Sequence, residues 1–265
     1  MMVVATTPSG QSIQPVSTID ATVLLARREL RGLVRTPEAV VPGFVVPVVI
    51  FLIMLGMFEG FATSFGIENL AAFLLPTSVL LATAFGSSGQ GIVEDIERGY
   101  FDKLLTTPLS RLALLLGPLA IEAVRMAAQS LLVLLVAMVA GASIATGITG
   151  AIAIVILGVL WGVAYSAIGF AVALKTGSGA ATQGAAMLWI PLLYLAPAFA
   201  PRDSMSGWLA TITALNPVTY IVEAMRATAL DGWQADTIAY GLLAIAAVGA
   251  ISLTLAFRAL RGRVS

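Results

Sequence analysis

Apolar runs of about 20 residues recur from one end of this chain to the other, and each is long enough to cross the hydrocarbon core of a bilayer as an α-helix. Few architectures accept that pattern. A backbone in lipid must satisfy its own N–H and C=O groups, which helices do within a single segment. Only 11% of the 265 residues are charged, against about 25% in soluble domains. Hydrophobic residues make up 59%, and mean hydropathy is +0.99. The reading is an all-α polytopic membrane protein without a sizeable soluble domain.

The pattern predicts six transmembrane helices, over about 39–58, 69–93, 112–140, 150–174, 180–200 and 236–257. Residues 1–17 are polar and rich in Pro, Ser and Thr, lack a signal-peptide pattern, and read as a flexible cytosolic tail. Residues 18–36 read as an amphipathic helix, with Thr18 or Asp20 as cap and Pro37 as stop. Arg27, Arg31 and Arg35 recur at i, i+4, i+8, and Val23, Leu30, Leu33 and Val34 lie largely opposite, which suits the membrane interface. Residues 18–265 then form one membrane domain.

Orientation follows from Lys and Arg. With the N-terminus inside, the cytosolic side carries eleven: Arg27, Arg28, Arg31, Arg35, Arg98, Lys103, Arg111, Lys175, Arg258, Arg261 and Arg263. The other side carries Arg202 and Arg226. That bias places both termini in the cytosol. Between spans five and six, Ser206 can cap a short helix over 207–214, and Asn216-Pro217 reads as a cap with Pro at the first helical position. That second helix is expected to reach about Leu230 and stop at Gly232. Both are too apolar for solvent and too short to span, so they are expected to be re-entrant.

The chain has no cysteine and no histidine, which removes thiolate chemistry, disulfides and the commonest base and metal ligand. No Gly-x-Ser-x-Gly occurs, and no catalytic residue or metal set is expected. No G-x-x-x-x-G-K-[ST] loop occurs either, so an ATP-driven process needs a separate ATPase. Zero net charge gives no sign of nucleic-acid binding. Abundant Arg with only Lys103 and Lys175 suggests a GC-rich bacterial source.

The longest charged run, Glu94 to Arg111, lies between two spans. Gly99 is expected to break the preceding helix, a short helix to follow over Tyr100–Thr106, and Pro108 to end it. Phe101, Leu104 and Leu105 share one apolar side of that helix. They either dock into a groove on a soluble partner or rest on lipid headgroups.

These pieces together resemble the ABC type-2 permease family, especially the daunorubicin-resistance type. The resemblance rests on Glu94, Glu97-Arg98-Gly99, Leu104-Leu105, Thr107-Pro108 and Ser110-Arg111, with Gly117 following. It rests also on Pro191, Phe199-Ala200-Pro201, Met205, Trp208-Leu209, Asn216-Pro217, Thr219-Tyr220, Glu223-Ala224 and Arg226. Tyr100 where Thr is usual, Ala196-Pro197 where Ser-Gly is usual, and Ser206 after Met205 depart from the pattern. The resemblance implies the membrane subunit of an ATP-driven exporter in a bacterial inner membrane, moving a lipophilic drug-like compound or a lipid by alternating access. It implies two ATPase subunits, which hold the ATP and Mg, and a second permease copy, identical or homologous. It assigns ATPase coupling to Glu94, Glu97, Arg98, Gly99, Phe101, Leu104, Leu105 and Pro108. It places a substrate path along spans two and five, at Phe73, Thr77, Leu81, Thr83, Phe85 and Ser88, and at Gln183, Met187, Trp189, Ile190 and Tyr194. Asn216, Pro217, Tyr220, Glu223 and Arg226 fall on the outer re-entrant helix.

Three polar or small-residue pairings stand out within the apolar segments. Glu122, Arg125 and Gln129 share a face of span three, as a self-satisfied pair or a polar contact to the substrate route. Glu223 and Arg226 are spaced to pair at i, i+3. Gly158-x-x-x-Gly162 permits close helix approach, within the chain or at a dimer seam. Competing functions are a permease for lipid-linked polysaccharide, a stand-alone channel or secondary transporter, and a membrane-embedded enzyme. The last lacks catalytic groups, and the channel lacks charged rings or an inverted repeat.

Overall fold

The computed structural model describes residues 17–62, 64, 66–85, 89–107 and 109–263. The tail expected over 1–17 therefore lies outside the described residues apart from Ser17, as do Ser88 and Pro108. Five stretches among the described residues are long and apolar enough to cross a membrane: Val40–Gly60, Leu70–Glu97, Arg111–Val139, Gly147–Thr176 and Ala235–Gly262.

The helix expected over 18–36 forms as α1 (Thr18–Arg35), but its cap is Ser17, whose hydroxyl accepts from the Ile19 N–H at 3.3 Å. Helix α2 (Pro37–Ala62) follows, with Pro42 and Pro47 inside it. A proline has no N–H for the carbonyl four residues back. For Pro47 that carbonyl belongs to Gly43, and Gln129 Nε2 donates to it at 2.8 Å. A Cβ on Gly43 would stand 2.8 Å from that same nitrogen, so the glycine admits the amide.

Helix α3 (Leu70–Leu81) is the centre of the bundle. The apolar window of the segment it opens is 88% buried, whereas those of Val40–Gly60 and Ala235–Gly262 are 17% and 22% buried. Those two outer helices therefore meet lipid or other chains. Asn69 caps α3, accepting from Ala72 N–H at 2.9 Å, and its amide donates to the Ser143 hydroxyl at 2.7 Å. After a 3₁₀ turn come α4 (Gln90–Glu97) and α5 (Tyr100–Leu105), separated by Gly99 at φ +64°. That left-handed geometry favours glycine.

Helices α6 (Arg111–Val139) and α7 (Gly147–Thr176) pack against each other. A Cβ on Gly158 would stand 2.7 Å from both Ser130 Oγ and Val79 Cγ1, and one on Gly162 would overlap Met126 Cγ. The glycine pair thus serves packing within the chain. Gly117 on α6 does the same for α1, since its Cβ would meet Leu25 Cβ at 2.6 Å.

The span expected over 180–200 is not one helix. It divides into α8 (Gly179–Met187) and α9 (Trp189–Tyr194), and residues 195–200 are irregular yet largely buried. Pro191 cannot donate to the Met187 carbonyl, which accounts for the break. Trp189 is fully buried against Trp161, with ring centroids 4.7 Å apart, and against Tyr165 at 5.6 Å. Helices α10 (Gly207–Leu215) and α11 (Pro217–Arg226) follow, then a π turn over Ala227–Asp231, and α12 (Ala235–Gly262). Gly232 at φ +106° ends the second short helix at the expected residue.

Helices α7 and α12 run in the same direction. Ser252 Oγ donates to the Ala164 carbonyl, and Arg263 Nη1 donates to the Leu174 carbonyl at 3.0 Å. Thr146, at the start of α7, donates to the Thr228 carbonyl at 2.7 Å, just before α12 begins. The chain between them must therefore return along the length of the bundle, and α8 and α9 carry it. Helix α1, α4, α5, the start of α6 and the ends of α7 and α12 gather at one end of the bundle, the charged end.

Candidate functional site

At the charged end, short helices are fixed by burying one side of each. Phe101 is 3% exposed and packs among Ile92, Leu115, Leu174 and Leu260. Leu104 is buried among Ala21, Leu25, Ala113 and Leu114, and Leu105 is half-buried between the two groups. The expected offer of an apolar side to a partner groove is therefore corrected: Phe101 and Leu104 are consumed by the chain's own core. Six residues of α5 are too few to hold a helix in water without such packing. The exposed side consists of Glu94, Glu97, Arg98, Tyr100, Asp102 and Lys103. Arg98 pairs with Glu94 at 3.2 Å one turn away.

An ion pair ties this edge to α1. Arg28 on α1 forks onto Asp95 on α4, with Nη1 to Oδ2 at 2.7 Å and Nη2 to Oδ1. Its guanidinium lies 4.5 Å from the Tyr100 ring centroid, a contact the usual Thr would not supply. The hydrogen bond to Asp95 raises the Arg28 pKa further, against the opposing effect of burial. Glu29, beside it, has its carboxyl pushed above the usual range, first by burial, with Asp95 and Glu94 adding to the rise and Arg28 opposing it. A carboxyl whose folded pKa is raised binds more protons folded than unfolded. Its destabilising ionisation is absent below the unfolded value and sets in as pH rises through that value to the folded one. Glu29→Gln is expected to flatten stability across that window, measured as thermal midpoint against pH.

The second arrangement holds the broken return segment. Side chains from elsewhere supply donors to four carbonyls of this segment, those of Leu192, Leu195, Pro197 and Ala198. Asn216 Nδ2 donates to Leu192 O at 2.6 Å, and Thr213 Oγ1 to Leu195 O at 2.9 Å. Thr77 Oγ1 donates to Ala198 O at 2.8 Å. Arg226 Nη1 donates to Pro197 O at 2.8 Å, Nη2 reaches Ala198 O at 3.3 Å, and Nε and Nη2 each reach Phe73 O at 3.4 Å. The guanidinium also sits 3.6 Å from the Phe73 ring centroid. Irregular backbone at membrane depth is tolerated where protein satisfies it in this way.

Asn216 caps α11, accepting from Val218 N–H at 3.0 Å, with Pro217 at the first helical position as expected. Tyr220 donates to Ala214 O at 2.7 Å. The expected Glu223–Arg226 pair is replaced: Glu223 takes Arg202, at 3.3 Å. Arg226 instead reaches carbonyls distant in sequence, which helical spacing could not reveal. On α6, Arg125 and Glu122 do pair, with Nε to Oε2 at 3.0 Å, and Arg125 Nη1 reaches Gln129 Oε1 at 3.3 Å. All three are buried.

The residues expected to line a substrate path divide. Phe73, Thr77, Leu81 and Trp189 are buried in the core of this chain. Met187 and Tyr194 are exposed, and Phe85 and Gln183 are half-buried. Helix periodicity could not separate these, because neither an inward nor a lipid-facing position in a membrane span need be polar. Phe85 and Gln183 also line a cavity of about 1090 Å³ at the charged end, bounded by α1, α2, α4, α6, α7 and α8.

Known proteins match this chain over most of its length. A profile described as ABC-2 type transporter matches residues 20–230. The daunorubicin resistance ABC transporter permease protein DrrB1 of Streptomyces coeruleorubidus is 23% identical over 223 residues, covering 82% of this chain and 78% of that protein. A protein of Mycobacterium tuberculosis named as a probable doxorubicin resistance ABC transporter permease, DrrC, is 25% identical over 214 residues, covering 80% and 77%.

Proposed function

We propose a function from one premise, that this chain belongs to the ABC-2 type transporter family: it is the membrane subunit of an ATP-driven exporter. Two copies of a separate ABC ATPase hold the ATP and Mg, and a second permease copy completes the pathway. The cargo is a lipophilic drug-like compound or a lipid, moved by alternating access across the inner membrane of a bacterium. The names of the relatives support a drug-like cargo.

The observation that carries this reading is the exposed edge Glu94, Glu97, Arg98, Asp102 and Lys103, mounted on buried Phe101 and Leu104. Force from a soluble partner is transmitted only by an element that cannot slide on its mount. The same end gathers the elements carrying the eleven basic residues, which supports a cytosolic placement. Parallel α7 and α12 support six crossings, the fifth made by α8 and α9, with both termini cytosolic. The short α10 and α11 then lie at the outer side as re-entrant helices.

The test is co-expression with the candidate ATPase, purification into lipid nanodiscs, and ATP turnover across a panel of lipophilic drugs and lipids. A stable complex whose turnover one compound class stimulates supports the reading. A chain that associates with no ATPase overturns it in favour of a stand-alone channel or carrier.

A further inference from the structure

The cavity at the charged end has more cationic groups than its own acids neutralise. Six arginines line it (27, 28, 31, 35, 98 and 125), against four acids: Glu29, Glu94, Asp95 and Glu122. Three of the arginines are paired within the chain, Arg28 with Asp95, Arg98 with Glu94 and Arg125 with Glu122. Glu29 lies 3.6 Å from Arg28. Arg27, Arg31 and Arg35 make no ion pair among the described residues. They recur every four residues on α1, so they share one face of that helix.

Besides the charged groups, the lining has the uncharged polar Thr36, Gln90 and Gln183 and an apolar wall. Leu24, Pro42, Phe85, Ile121 and Phe170 contribute to it. The volume, about 1090 Å³, lies just above the range of about 300–1,000 Å³ usual for small-molecule sites. Helix α1 also exposes Ile19 at 74%, Leu24 at 59% and Val34 at 74%, which seats it at a membrane surface rather than in water. A ligand that satisfies all of this is anionic at one end and apolar at the other, and reaches the cavity from the leaflet. Guanidinium groups bind phosphate oxygens through paired N–H donors, and at short range they do so better than a point charge would. A free inorganic anion would leave the apolar wall unmatched.

We propose that this cavity binds the phosphate headgroup of an anionic membrane lipid, with Arg27 and Arg31 as its anion-binding side chains and the acyl chain along the wall that includes Ile121. The site requires only that the chain sits in a membrane. It stands or falls independently of the exported cargo and of the ATPase.

The test is native mass spectrometry of the full chain released from nanodiscs of mixed phosphatidylcholine and phosphatidylglycerol. The wild-type chain is expected to retain phosphatidylglycerol preferentially. Arg27→Gln with Arg31→Gln is expected to lower that retention about tenfold or more, as the loss of two charge-assisted contacts requires. Arg258→Gln with Arg261→Gln removes equal charge from positions outside the cavity and is expected to leave retention unchanged. Should the first double variant fail to fold, Ile121→Trp carries the test: it fills the cavity without altering charge, and it is expected to lower retention as well. Equal retention in the cavity variants, equal loss in the Arg258 and Arg261 control, or displacement of the lipid by inorganic phosphate alone would each overturn the proposal.

Discussion

Glu97→Lys with Asp102→Lys is expected to abolish stable association with the ATPase while leaving the permease folded and inserted. Both side chains are exposed on the α4–α5 edge, and neither takes part in an ion pair among the described residues. Surface substitutions of that kind shift stability by only about 0.5 kcal/mol. Across an interface the same reversal puts like charges face to face, which costs several kcal/mol and so lowers affinity on the order of a hundredfold or more. The measurement is co-purification from nanodiscs with monodispersity of the permease as the folding control. Undiminished co-purification and ATP turnover would remove this edge from the coupling assignment. The apolar residues of α5 make a poorer probe. A polar substitution at Leu104 would break the packing against Ala21 and Ala113, and loss of the complex would then report only on a misfolded mount.

That difference between mount and edge marks the limit of what residue order alone reveals. The spacing of Phe101, Leu104 and Leu105 gives an apolar side with the correct residues, but a side carries no label saying what covers it. Phe101 is covered by Ile92, Leu115, Leu174 and Leu260, on four separate elements, and Leu104 by residues of α1 and α6. Local signals are legible. Gly99 and Gly232 mark helix ends, Asn216-Pro217 marks a helix start, and Pro37 ends α1, because each acts through its own backbone within a turn. Five of the six expected apolar runs fall on stretches long and apolar enough to cross a membrane. Pro191 is legible as a proline, but its consequence, a broken return segment, requires knowing that distant donors satisfy the carbonyls. By residue order Arg28 is one more positive charge that sets orientation. Its fork onto Asp95 spans sixty-seven positions and has no signature in spacing. Phe73, Thr77, Leu81 and Trp189 lie in the core on the same ground: within lipid, a buried Phe and a lipid-facing Phe are chosen by similar chemistry.

Arg226→Met is expected to cost far more stability than any substitution on the exposed α4–α5 edge. Arg226 reaches the carbonyls of Phe73, Pro197 and Ala198, which belong to α3 and to the irregular segment after α9. Methionine fills a similar volume and removes every donor. Ala198 O keeps the Thr77 hydroxyl, whereas Pro197 O loses its donor at 2.8 Å. A buried acceptor left without a partner costs about 1–3 kcal/mol, and loss of the stacked guanidinium over Phe73 adds about 1 kcal/mol or more. A total near 3 kcal/mol is a large part of the roughly 5–15 kcal/mol that holds a typical protein folded. The loss has a place as well as a size. The return segment would detach from α3, so hydrogen exchange should rise at residues 192–200 before it rises in α6 or α7. Arg226→Lys separates charge from geometry. An ammonium keeps the positive charge but has no planar fork to reach two elements at once, so an intermediate loss is expected. A thermal midpoint for Arg226→Lys equal to that of the wild type would mean that charge alone holds the segment. A midpoint for Arg226→Met equal to wild type would mean that the carbonyls find other donors, and that Thr77, Thr213 and Asn216 suffice to keep the return segment in place.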